Sequence, residues 1–185
     1  MTKKEFRPSA PAASNATVQN DADRWTLIFV RELRQTPEAV WRALTEPAAL
    51  QQWSPFDADR NLGATGTATL TMAGGEGDVA TDDDVTSVEI RQADAPRLLE
   101  YTWGGDLLRW ELEPLASGTR LTLRHTVADR DWIPKVTAGW HICIDVLERV
   151  LDGNPVGRVV GNDAKNYGWD ALYEAYSKRL DVAQP

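Results

Sequence analysis

One stretch of this chain, PKVTAGWHICIDVLERVLD from Pro134 to Asp152, limits what the rest can be. Val136, Trp140, Cys143, Leu147 and Val150 recur at +4, +7, +11 and +14, so they stack on one helical face. Gly139, Ile142, Ile144, Val146 and Leu151 widen that stripe, while His141, Asp145, Glu148 and Asp152 form a polar edge at helical spacing. Gly153 stands where a left-handed cap would end the helix, and Pro155 prevents its continuation. A helix this apolar needs a broad cover. It is either a core helix packed on a sheet or the lid of a ligand cavity.

The 185 residues suffice for one domain with tails, and the 42% hydrophobic content is that of an ordinary globule. No apolar run approaches membrane-spanning length, and no apolar core follows Lys3, Lys4 and Arg7, so neither membrane insertion nor a signal peptide is expected. The single cysteine, Cys143, excludes an internal disulfide framework and fits a reducing, cytoplasmic setting. The net charge of −8 is concentrated: Glu76 to Glu113 holds eleven acids and three arginines, and the remainder is balanced. Such a surface repels phosphate backbones, which argues against nucleic acid as a partner. It reads as a solvated face, or as a site for a basic protein.

Residues 1–22 mix Pro, Ala, Ser and Asn without periodicity and are expected to be a disordered tail. WTLIFVRELR reads as a strand. Thr36-Pro37-Glu38 opens a short helix, and a second runs from Glu46-Pro47 to Trp53. From Gly63 the period becomes two, with Leu70 and Met72 on the face of the small residues. RLLEYTW and LLRWELE, joined by Gly104-Gly105-Asp106, form a hairpin, and TRLTLRHTV places His125 on the side of its leucines. After Gly153 comes a loop without periodicity, then an amphipathic helix carrying Trp169, Leu172, Tyr173, Tyr176 and Leu180. The order specifies an α+β fold in which a curved antiparallel sheet wraps the long helix. One domain spans residues 23–153, with a C-terminal extension over 154–185 that could close a cavity or serve a dimer interface.

TPEAVWRALTEPAALQQW (36–53), LLEYTWGGDLLRWELEP (98–114), GTRLTLRHT (118–126) and AGWHICIDVLERVLDG (138–153) stand in the order of the helix-grip superfamily, also called START-like or SRPBCC. The chain most resembles the branch named for activators of heat-shock-chaperone ATPases, often described as polyketide-cyclase-like. The resemblance implies six or seven antiparallel strands gripping the C-terminal helix, with a cavity between them. It also implies hydrophobic ligands, cyclase-type chemistry in some members and co-chaperone activity in others.

The residues themselves favour binding over catalysis. On a helix His141 and Cys143 diverge by about 200°. Two histidines and one cysteine supply too few ligands for a metal, and no cofactor is expected. Cys143 reads as a small buried hydrophobe, and His141 with Asp145 as a half-exposed pair. No nucleophile elbow or phosphate loop is present. His125 is the candidate acid or base for a cyclase or hydrolase, with Tyr101 as a possible donor, against the plainer role of a hydrogen-bonded core histidine. Of eight tryptophans, Trp41 and Trp169 fit helical stripes, whereas Trp53, Trp103, Trp110 and Trp140 could converge on one space. The expected pocket for a small hydrophobic molecule is Trp53, Phe56, Leu70, Met72, Tyr101, Trp103, Trp110, His125, Trp140, Cys143 and Leu147.

Overall fold

The computed structural model describes residues 6–75 and 77–180. The first five residues of the expected tail, Glu76 of the acidic stretch and the last five residues of the extension lie outside the described residues. Eight strands form one antiparallel sheet: β1 (Asn15–Asp21), β2 (Arg24–Leu33), β3 (Phe56–Ala58), β4 (Gly66–Met72), β5 (Val85–Asp94), β6 (Leu98–Trp103), β7 (Asp106–Leu115) and β8 (Gly118–Val127). Their order is β1-β2-β8-β7-β6-β5-β4-β3. Two short helices, α1 (Pro37–Thr45) and α2 (Pro47–Trp53), bridge β2 to β3. The long helix α3 (Ile133–Leu151) follows the sheet, and α4 (Asp163–Asn166) and α5 (Trp169–Arg179) complete the chain.

Local chemistry places most of these boundaries. Thr36 Oγ1 accepts from the Ala39 N–H at 3.3 Å, with Pro37 at the first helical position of α1. β8 alternates strictly between half-buried and buried residues, so Leu121, Leu123, His125 and Val127 face inward as their period of two requires. The β7–β8 turn admits only glycine. A Cβ on Gly118, whose φ is +148°, would lie 1.9 Å from the Leu33 carbonyl oxygen.

The count of eight strands exceeds the expected six or seven, and β1 corrects the expectation of a disordered tail. Asn15–Asp21 pairs with β2 from Asn15↔Val30 to Asp21↔Arg24. Its residues carry little hydrophobic signal because an edge strand gains its order from backbone hydrogen bonds and from burying Ala16 alone. Upstream, Phe6 is buried against Tyr167.

The sheet, α1, α2 and α5 surround α3, and from Thr137 to Leu147 every residue except Gly139 is buried. The core between sheet and helix is filled with large rings. Trp53 meets Trp110 edge-on at 6.0 Å, and Trp110 meets Trp140 at 5.3 Å. Trp53 Nε1 donates to the Ala43 carbonyl at 2.9 Å and Trp110 Nε1 to the Tyr101 hydroxyl at 3.1 Å, so their polar atoms are satisfied in the dry interior.

Candidate binding site

The two flanks of α3 differ in chemistry. Val136, Gly139, Trp140 and Cys143 project from one flank, at i, i+3, i+4 and i+7, into a cavity of about 350 Å³. Met72, Ala73 and Pro55 border it where β4 ends and β3 begins, and Trp103 and His125 form its sheet side. Val159, Val160, Gly161, Ala164, Lys165 and Trp169 close it from the C-terminal extension. Three side-chain hydrogen bonds tether that closing segment. Arg158 Nη2 donates to Asp57 at 2.6 Å and to the Leu50 carbonyl at 3.1 Å, and Asn162 Nδ2 donates to Asp78 at 2.6 Å.

Five expected residues therefore meet at this space: Met72, Trp103, His125, Trp140 and Cys143. Trp53, Phe56, Leu70, Tyr101, Trp110 and Leu147 do not line it. They are packed at 1% exposure or less behind its wall, where the rings fill the grip that was expected to be hollow. The cavity lies instead at the margin of the grip, under the extension. The closing residues were missed because a segment with no period carries no orientation signal; the pair Val159-Val160 between two glycines was the available hint.

His125 has both ring nitrogens engaged. Trp140 Nε1 donates to Nδ1 at 2.9 Å, so the ring proton is on Nε2, which lies 2.8 Å from Asp106 Oδ2. To accept a proton from a substrate, the ring would first have to release Trp140. Tyr101 is buried away from the cavity, and burial raises its phenol above the ordinary range, opposed by the hydrogen bond from Trp110. Burial likewise pushes the Cys143 thiol up to about 12, despite the charge of Arg158.

On the roughly opposite flank, the expectation of a half-exposed His141–Asp145 pair is corrected. Both are buried because the N-terminal segment and α5 cover what would otherwise be a solvent edge. His141 Nε2 donates to the Ser9 carbonyl at 3.0 Å, and Nδ1 lies 2.7 Å from the Tyr176 hydroxyl. Asp145 accepts from the Ser9 N–H at 2.6 Å, the Ser9 hydroxyl at 2.9 Å and Arg31 Nη1 at 2.7 Å. Arg31, 5% exposed on the inner face of β2, also reaches Glu148 at 3.1 Å and the Ser14 hydroxyl at 2.6 Å. Burial alone would raise the Asp145 carboxyl, but the His141 hydrogen bond and the Arg31 charge outweigh it and hold it at about 2.

Among the described residues, no three His, Cys, Asp or Glu side chains come together as a metal site, and no helix is long and apolar enough to cross a membrane. The family model described as Activator of Hsp90 ATPase homolog 1-like protein matches residues 34–152. The chain belongs to that family. No curated protein matches the sequence. Among solved structures it is similar to CalU16 from Micromonospora echinospora, at 18% identity over 91% of this chain and 98% of that one, with a TM-score of 0.65. A conserved protein of unknown function from Enterococcus faecalis, EF2215, superposes with a TM-score of 0.68 at 16% identity, covering 92% and 93% of the two chains. An AHSA1-like protein from Aeromonas hydrophila covers 69% of this chain and 92% of its own, at 18% identity and a TM-score of 0.59. These likenesses establish the helix-grip fold. The first two extend it beyond the residues that the family model matches.

Proposed function

We propose that this protein binds a small hydrophobic molecule in the cavity between α3, the ends of β3 and β4, and the C-terminal segment. The observation that carries the reading is Gly139. A glycine inside a helix costs roughly 0.5–1 kcal/mol relative to alanine, which close packing usually justifies. Here a Cβ would meet nothing within 4 Å. The helix omits a side chain where one has room, and the space that this leaves is walled by Trp103, Trp140, Cys143 and Val159. A cavity so lined takes up apolar surface and selects by shape. The two bonds at His125 favour a residue that orients Trp140 over a general base, so binding accounts for the site better than turnover.

Calorimetric titration with methyl 2-naphthoate, flat, and methyl decanoate, flexible, tests the reading. The wild-type protein should bind at least one, and Gly139→Phe should weaken that binding by about tenfold or more without lowering the melting temperature. Binding of neither ester, or equal binding by the variant, would overturn it.

A further inference from the structure

The cavity wall is unequal in its polar groups, and the inequality points to a ligand class. This inference rests on the binding reading above and deepens it. The lining has one charged side chain, Lys165, at the exposed margin where α4 crosses the opening. No carboxylate among the described residues forms an ion pair with its ammonium; Asp163, on the same short helix, is buried. His125 Nδ1, an acceptor in the wall, is already taken by Trp140, and Asp106 stands on the other side of that ring. The indole N–H groups of Trp103 and Trp169 have no hydrogen-bond partner among the described residues. The cavity wall therefore carries one cation at its margin around an apolar interior, and no side-chain carboxylate.

We infer that the ligand is a hydrophobic acid, bound as its anion, with the apolar body against Trp140 and the carboxylate, or an equivalent anionic head, at Lys165. A cation or amine would meet Lys165 as a like charge. A neutral compound would gain nothing from the ammonium, which stays hydrated at the exposed margin.

The test pairs 2-naphthoate and decanoate with their methyl esters and with the matching amines, at low salt, by calorimetry. Wild-type protein should prefer each acid over its ester by about fivefold and bind the amine more weakly than both, as expected for an ion pair at an exposed margin. Lys165→Met should abolish the preference for acid over ester, while Lys165→Arg should retain it. Equal affinity of acid and ester for the wild type, or an acid preference that survives Lys165→Met, would overturn the inference while the ester result leaves the cavity reading standing. Failure of every compound to bind would overturn both.

Discussion

The two flanks of α3 are covered by the same kind of material, chain outside the sheet, yet one is saturated and the other is left open. On the polar flank, Arg31, His141, Asp145 and Tyr176 are bonded to one another and to Ser9 and Ser14. On the apolar flank, the extension crosses above Gly139 and Trp140 without filling the space between. A buried charge network is costly unless complete, so its members have little freedom to change. An apolar wall tolerates a gap at the cost of lost van der Waals contact alone. One flank therefore fixes the position of the helix, and the other leaves the space in which the proposed ligand would sit.

The largest expected effect comes from breaking the polar flank. Asp145→Ala leaves the Arg31 guanidinium buried beside Glu148 alone, and should lower unfolding free energy by about 3–5 kcal/mol in a denaturant titration. A loss under about 1 kcal/mol would mean that water replaces the carboxylate and that the flank is not saturated. The same carboxylate sets the acid limb. Its pKa is depressed on folding, from about 3.9 to about 2, so its contribution is complete above about pH 4 and disappears as the pH falls toward 2. That term is on the order of 2 kcal/mol, and Asp145→Asn should flatten the stability profile across this window.

On the cavity flank the effects are smaller. His125→Phe removes the acceptor of Trp140 and the donor to Asp106, and should cost about 1–3 kcal/mol by thermal or chemical unfolding. Gly139→Ala should have the opposite sign, adding up to about 1 kcal/mol, since the methyl meets no neighbour and the helix gains propensity. A destabilised Gly139→Ala would show that the space is occupied and would dissolve the contrast. The thiol of Cys143, pushed up to about 12 by burial, should react with a disulfide reagent near neutral pH far more slowly than an exposed cysteine, because the thiolate is the reactive form.

Much of the fold was legible because periodicity is a statement about neighbours. The alternation in β8 located His125 on the inner face, and the helical stripe placed Val136, Trp140 and Cys143 together. What periodicity cannot report is depth. Trp53, Trp110 and Trp140 were recognisable as convergent, but whether convergent rings enclose space or fill it depends on distances of about 5–6 Å that no spacing encodes. The charged edge of α3 was misjudged for a related reason. His141 and Asp145 are solvent-compatible residues, and their burial follows from Ser9 and Tyr176, which arrive from opposite ends of the chain. Arg31 was equally silent, because an inward arginine breaks the apolar pattern of β2 and declares its purpose only through Asp145.

The cavity has a divided boundary. Residues from Met72 to Cys143 that border it also shape the grip, and a change in any of them is felt by the strands or by α3. Val159 to Trp169 lie beyond residue 152, where the family match stops, and hang from two clasps at Arg158 and Asn162. On the binding reading proposed above, this cap is the part of the wall that can vary independently of the family fold. Changing its side chains would then alter the shape of the space while leaving the strands and α3 that form the rest of the wall untouched.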